Sequence, residues 1–196
     1  MSEPLIPKHG GYRNLKSFQI SRLIYDATVK FCERYVPRGS RTRDQMIQAA
    51  RSGVQNIAEG SCASGTSRKT EMKLTSVARA SLEELRLDYE DFLRQKGQAI
   101  LDPYDPILMR FKALRCKNLE ELQNWVSAER ADARDRRRAE PAPELLVANA
   151  TLSLIHLASY LLGRQLEAQA AHFQQQGGFS ERLYQLRKSG DRGTGR

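Results

Sequence analysis

Small residues set at helical spacing place the strongest constraint on how this chain can fold. They lie in the segment 48–60, where Ala49, Ala50, Gly53 and Ala58 leave little side chain on one side of a predicted helix. A glycine inside a helix costs about 1 kcal/mol relative to alanine. Gly53 is therefore better explained by a close approach of two helix backbones, and the segment predicts a tightly packed helix within a bundle.

The polar end of this segment allows two interpretations, a functional site or a structural lock. Gly60 stands where a left-handed C-terminal cap is expected. Glu59 lies near the predicted helix end, where the helix dipole disfavours a negative charge, and a buried charge needs a partner. The structural interpretation is favoured: Asn56 and Glu59 cap the helix end or bond Arg79 on the following helix.

The composition favours helix throughout. Leucine, alanine, arginine, glutamate and glutamine dominate the 196 residues, and no stretch alternates apolar and polar residues as a strand would. A hydrophobic content of 40% is enough to form a core. The length is typical of one domain, or of one domain with an appendage. These features predict an all-α protein.

Apolar residues recur at intervals of three and four in four long segments. They predict helices at about 17–36, 42–60, 67–96 and 143–175. Ser17, Thr42 and Ser67 are candidate N-terminal caps, and Gly97 is a candidate stop for the third helix. Because the first three helices are joined by short loops, they should be antiparallel neighbours. The prediction is an up-down antiparallel four-helix bundle.

The remaining segments surround this bundle, which is assigned to 17–97 and 143–176. Residues 1–16 are predicted to be an extended arm. Residues 98–142 form a helical insertion, with helices at about 106–115 and 119–138, the second half of the latter being a solvated charged helix or a hinge. Residues 177–196 form a C-terminal extension that is partly disordered, because its tail is rich in glycine and basic residues.

Nothing in the sequence predicts a cofactor, a metal or a membrane span. The three cysteines form no CxxC pair, which argues against a zinc site or a disulfide framework and fits a reducing cytoplasm. The three histidines are too scattered to form a metal set. The longest apolar stretch, 152–162, is too short to cross a bilayer. No nucleophile can be matched to a histidine base, so binding is favoured over catalysis.

Basic clusters are the best functional lead in a chain of formal net charge +9 and pI about 9.7. Arginine guanidinium groups bond phosphate oxygens in pairs, and such contacts give affinity without reading sequence. The candidate nucleic-acid contacts are Arg41, Arg43, Arg68, Lys69, Lys73, Arg134, Arg137 and Arg138. The alternative is a solvated face, because Glu129, Asp132 and Asp135 interleave the basic cluster 130–138 to which the last three belong.

Two motifs, Asn56–Gly60 and Ala78–Leu85, carry a family resemblance. In that order and separation they resemble the four-helix bundle family that includes proteins encoded in intervening sequences of bacterial 23S ribosomal RNA genes. The opening His9–Arg13 and the insertion suit a subgroup with an added segment. Gln48 stands where the family usually has arginine, which puts an anion contact there in doubt. Ala80 stands where glycine is frequent, which loosens the closest helix approach.

The resemblance implies an up-down bundle that assembles as a ring, commonly a pentamer. It also implies similarity to the accessory protein of diversity-generating retroelements, a basic oligomeric bundle that binds nucleic acid and partners a reverse transcriptase. We therefore expect a cytoplasmic, non-enzymatic homo-oligomer that binds RNA or DNA through phosphates. The alternative is a protein-interaction scaffold, a ring that presents the insertion and the segment around Leu183 and Leu186 to a partner protein.

Overall fold

A computed structural model describes residues 9–177, together with residues 183, 184 and 188. Over this part of the chain the protein is all-α, as predicted, with six α-helices, one turn of 3-10 helix and no strand. The helices are α1 (Lys16–Tyr35), α2 (Arg41–Ala63), α3 (Arg68–Gln95), α4 (Pro106–Leu114), α5 (Leu119–Asp135) and α6 (Pro143–Gln176).

Both predicted ends of α3 are confirmed. The Ser67 hydroxyl accepts a hydrogen bond from the backbone N–H of Thr70, 3.2 Å away. Gly97 has φ +62°, and the N–H groups of Gly97 and Gln98 donate to the last carbonyls of α3. This left-handed closure favours glycine because it carries no Cβ. The local sequence therefore determines where α3 begins and ends.

The predicted caps of α1 and α2 are wrong. Ser40, not Thr42, caps α2, and its hydroxyl accepts from the Thr42 N–H at 3.2 Å. No side chain caps α1. Ser17 is instead buried, and its hydroxyl donates to Gln165 Oε1 on α6 at 3.1 Å. A serine near a helix start can either cap the helix or pack in the protein interior. Here the hydrogen bond to Gln165 holds Ser17 in the interior.

The four long helices α1, α2, α3 and α6 share one core. α2 packs on α1 and α3, and α6 packs on the other sides of α1 and α3. The buried Tyr89 of α3 reaches across to α1, where its hydroxyl donates to Thr28 Oγ1 at 3.1 Å. Phe31 of α1 stacks against Tyr89 and Phe92, with ring centroids 4.9 and 4.7 Å apart. These contacts join the second half of α1 to the second half of α3.

Two glycines let α2 approach α3 closely. A Cβ added at Gly53 would lie 3.0 Å from Leu82 Cδ2, and one at Gly60 would lie 3.3 Å from the backbone oxygen of Glu71. The packing role predicted for Gly53 is confirmed. The cap predicted at Gly60 is wrong, because α2 continues to Ala63 and Gly60 is a buried contact within it. Ala80 is exposed, so it does not affect this approach.

The insertion packs against the long helices instead of projecting into solvent. Phe111 of α4 and Trp125 of α5 are 3% exposed each, and their ring centroids lie 4.8 Å apart. The second half of α5 is not wholly solvated, since the Glu129 side chain is buried and forms a two-bond ion pair with Arg110 of α4. Both helices contact α6. Residues 98–142 therefore extend the core.

A buried asparagine fastens the start of the insertion to α6. Asn149 is 1% exposed. Its side-chain oxygen accepts from the Leu101 N–H at 2.8 Å, and its side-chain amide donates to the backbone oxygens of Ala99 and Leu145 at 3.2 and 3.0 Å. One side chain thus satisfies two backbone groups of the loop, at Ala99 and Leu101, and adds a second bond to a helix carbonyl.

The described part of the N-terminal arm is not extended. Tyr12–Asn14 form a turn of 3-10 helix, and the Gly10 N–H donates to the Ser61 carbonyl near the end of α2 at 3.0 Å. Residues 1–8 lie outside the described residues. So does nearly all of the predicted C-terminal extension 177–196, including Leu186.

The long helix α6 is apolar enough to cross a bilayer by length and composition alone. Within its most apolar window, however, 56% of the residues are buried inside the protein. Burial of this kind is typical of the core helix of a soluble protein.

Candidate nucleic-acid interface

The structure places the predicted phosphate contacts in three separate regions. Arg41 and Arg43 lie in the first turn of α2, and the α3 group begins at Arg68. Because α2 spans 23 residues, about 35 Å of helix separates these two groups. The third group lies at the C-terminal end of α5, with Arg134 in its last turn and Arg137 and Arg138 just beyond it. The eight residues therefore do not form one patch on a single protomer.

Arg68 is held by the protein itself. Its guanidinium pairs with Glu71 at 3.0 Å, and the two side chains are only 19% and 11% exposed. The other Glu71 oxygen accepts from the Gln169 side-chain amide at 3.1 Å, which ties the pair to α6. Breaking such a pair leaves an uncompensated buried charge. The geometry therefore gives Arg68 a structural role at the junction of α3 and α6.

Lys69 and Lys73 are the predicted neighbouring pair in which both side chains are available. They are exposed, one helical turn apart near the start of α3, and neither forms an ion pair within the described residues. The Lys69 ammonium lies 5.9 Å from the ring centroid of Phe173 on α6, within range of a cation–π contact. The α3 dipole also places partial positive charge at this end of the helix. The start of α3 is thus electrostatically suited to an anion.

The arginines at the C-terminal end of α5 are largely neutralised by nearby acids. Glu140 accepts from Arg130 at 2.8 Å and from Arg134 at 2.7 Å. The hydrogen bond from Arg134 lowers the pKa of the Glu140 carboxyl. Asp132 pairs with Arg136 at 2.8 Å and with Arg138 at 3.7 Å. This pattern agrees with the solvated-face interpretation for Arg134 and Arg138.

Arg137 differs from these neighbours because it forms no ion pair within the described residues. It has φ +53°, and its N–H closes the end of α5 on the Arg134 carbonyl at 2.9 Å. Arg137 therefore serves the helix end through its backbone, while its exposed side chain stays available.

The link between α2 and α3 differs from the predicted one. Ser52 and Ser81 hydroxyls lie 2.9 Å apart and join the two helices, and Asn56 holds Ser52 by donating to its carbonyl and hydroxyl oxygens. Glu59 is exposed and forms no ion pair within the described residues, so the predicted bond to Arg79 is wrong. Arg79 lies instead against α6, 3.9 Å from where a Cβ at Gly163 would stand.

A shallow cavity of about 420 Å³ lies above this serine pair. Arg41 lines it, together with Gln48 from the same helix and with Asp44 and Glu84. The two carboxylates reduce the attraction of this cavity for anions. Of the α2 arginines, neither Arg41 nor the half-buried Arg43 forms an ion pair in the part of the chain described here.

Sequence reasoning missed a further basic region. It is a groove of about 660 Å³ that lies between the start of α1, the middle of α6 and the turn joining α4 to α5. Four cations line it, one from the start of α1 and three from the run 112–117: Lys16, Lys112, Arg115 and Lys117. The one local signal was the run 106–118, which has four basic residues and no acidic one. This groove is called the basic groove below.

The described residues contain no group of three histidine, cysteine or acidic side chains placed to hold a metal ion. Cys32 is buried, and burial raises the pKa of its thiol to about 12, so the thiolate is scarce at neutral pH. Cys62 is exposed and Cys116 is partly exposed.

The chain was compared with protein-family models, with curated proteins and with solved structures, and none of the three comparisons gave a match.

Proposed function

We propose that this protein binds RNA or DNA through phosphate contacts and performs no catalysis of its own. The supporting observation is the exposed pair Lys69 and Lys73, which has no acidic partner among the described residues and lies at the positive end of α3. A chain with formal charge +9 adds a long-range attraction for polyanions. Arg41, Arg43 and Arg137 are secondary contacts, whereas Arg68, Arg134 and Arg138 act mainly within the protein.

The proposed scaffold is an up-down antiparallel four-helix bundle of α1, α2, α3 and α6, in the cytoplasm. Helix contacts support it: Gly53 faces Leu82 while Gly60 faces Leu74, so α2 and α3 run in opposite directions. The motifs at 56–60 and 78–85 add their resemblance to the ring-forming bundle family. We propose a homo-oligomeric ring, with a pentamer as the first expectation. Repeating one weak lysine patch around a ring would strengthen binding through avidity.

The test is fluorescence anisotropy with labelled single-stranded and double-stranded oligonucleotides over a range of salt concentrations. Affinity should fall as salt rises, with a slope of roughly 0.7–0.9 in log–log form per phosphate contact. Lys69→Glu and Lys73→Glu should each lower the slope by about 1 and weaken binding to all sequences alike. Lys30→Glu is the matched control, because Lys30 is exposed on α1 and already paired with Glu33. Absent binding at low salt, or binding that ignores salt, would refute the proposal.

The alternative is a protein-interaction scaffold, and exposed apolar residues around α4 favour it. Tyr104 is 83% exposed, Met109 47% and Leu114 57%. Large apolar side chains in solvent near one another are typical of a contact surface. Purification of a defined complex with a partner protein, free of nucleic-acid absorbance and lost on Met109→Glu, would support the scaffold over nucleic-acid binding.

A further inference from the structure

The basic groove has the size and lining of a small-molecule site. Its volume of about 660 Å³ lies within the range of roughly 300–1,000 Å³ that is usual for ligand pockets. The floor is aliphatic, formed by Ile20 of α1 with Leu154, Leu157 and Leu161 of α6. Leu154 is 8% exposed and Leu157 is 45% exposed, so the floor runs from the core to an open mouth. Such a floor favours an apolar ligand body.

The charged residues that line this groove are all basic, while the Glu121 carboxylate lies next to it and accepts from the Lys117 backbone N–H at 2.7 Å. Lys16, Lys112, Arg115 and Lys117 line the groove, and no carboxylate is among its described lining residues. The Lys112 ammonium is held in place, because it donates to the Pro103 carbonyl at 2.5 Å. The other three cations form no ion pair within the described residues, in contrast to Arg130 and Arg134 near the end of α5. The groove therefore complements an anionic group joined to an apolar body.

Arg115 occupies an unusual backbone position for its side chain. It ends α4 with φ 51° and ψ 47°, the left-handed conformation in which glycine or asparagine is usual. Arg137 ends α5 with a similar φ of 53°, so this conformation closes a helix end in both places, and at Arg115 it also directs attention to the side chain. At Arg115 the strained residue supplies a cation to the groove.

We propose that the basic groove binds a single-chain fatty carboxylate. The alkyl chain lies along the leucines of α6, and the carboxylate lies among Lys16, Arg115 and Lys117. Arginine suits this headgroup because its guanidinium can donate two parallel hydrogen bonds to a carboxylate. A flat aromatic ligand fits less well, since the one ring at the floor, Phe111, is already packed against Trp125. A bilayer surface fits less well too, because the lining is concave.

This proposal is independent of nucleic-acid binding, which rests on Lys69 and Lys73 at the start of α3. The test is isothermal titration of the full-length protein with dodecanoate below its micelle concentration, and with dodecanol as the uncharged ligand of equal chain length. Dodecanoate should bind at one site per protomer, and dodecanol should bind at least tenfold more weakly. Equal affinity for the two ligands, or no saturable binding of dodecanoate, would overturn the proposal.

Two variants test whether dodecanoate binds in the basic groove. Arg115→Gly removes a cation and also relieves the left-handed backbone, so affinity should fall roughly tenfold, the size of one charge-assisted contact, while the melting temperature stays equal or rises. Leu157→Glu puts a carboxylate at the open mouth and should abolish binding. Lys30→Gln on α1 is the matched control and should bind as the unaltered protein does.

Other occupants of the groove give different results. If Arg115→Gly and Leu157→Glu both bind dodecanoate normally, the ligand lies elsewhere and the proposal fails. If Leu157→Glu changes the oligomer size by light scattering and the unaltered protein does not bind dodecanoate, a second copy of the chain covers the groove. Sedimentation with anionic vesicles, in the absence of binding to monomeric dodecanoate, would assign the groove to a membrane surface instead.

Discussion

The close approach of α2 to α3 can be tested by adding one methyl group to Gly53. In the Gly53→Ala variant, the new Cβ would lie 3.0 Å from Leu82 Cδ2 and 3.2 Å from Leu82 Cγ. Leu82 is fully buried, so it cannot swing into solvent to make room. Gly163 of α6 is the matched control, because a Cβ there would meet nothing closer than the Arg79 guanidinium at 3.9 Å.

Both substitutions gain the same helix propensity, but only one of them adds a cost in packing. Each replaces a glycine within a helix by alanine, which favours folding by about 1 kcal/mol. Only Gly53→Ala overpacks the core, at a cost of about 1–3 kcal/mol. Gly163→Ala should therefore raise the free energy of unfolding by about 1 kcal/mol, while Gly53→Ala should be neutral or lower it by up to about 2 kcal/mol.

Urea unfolding followed by circular dichroism measures both variants, at equal protomer concentration because any assembly makes stability depend on concentration. A change of 1 kcal/mol corresponds to roughly 2–4 °C in melting temperature for a chain of this size. Replacing Leu82 by valine in the Gly53→Ala background should recover part of the loss, since it removes the Cδ2 methyl that makes the closest contact. If Gly53→Ala stabilises as much as Gly163→Ala, the packing argument is wrong.

Two further substitutions probe buried polar groups. Asn149→Ala should lower the free energy of unfolding by about 1–3 kcal/mol, because the Leu101 N–H and the Ala99 carbonyl lose their partner. Faster hydrogen exchange at the Leu101 amide would check this prediction, and unchanged exchange would contradict it. Burial and two neighbouring carboxylates raise the pKa of Asp88 above its ordinary 3.8. Folding therefore favours protonated Asp88. The contribution of this protonation to the free energy of unfolding is lost as pH rises through the folded-state pKa. Asp88→Asn should raise the melting temperature at neutral pH, with a gain that disappears in acid; an equal gain at every pH would refute this account.

The sequence alone determined the helices and part of their packing. Helix periodicity and caps depend on residues three or four apart, so Ser67 and Gly97 could be assigned correctly as the ends of α3. Gly53 could be assigned to a tight contact because glycine within a helix needs a compensating reason. Gly60 could not be assigned in this way, because a glycine near a predicted helix end is equally consistent with a C-terminal cap and with a close helix contact. The contact with α3 decided between them.

The sequence alone could not determine which cations are free. Lys69 and Arg68 are adjacent and equally basic in sequence, yet Arg68 is held by Glu71 and Gln169 while Lys69 is exposed. The basic groove likewise exists only because α1, α6 and the turn after α4 meet in space. Electrostatic availability and cavity shape depend on distances between residues far apart in the chain, and only the tertiary structure sets those distances.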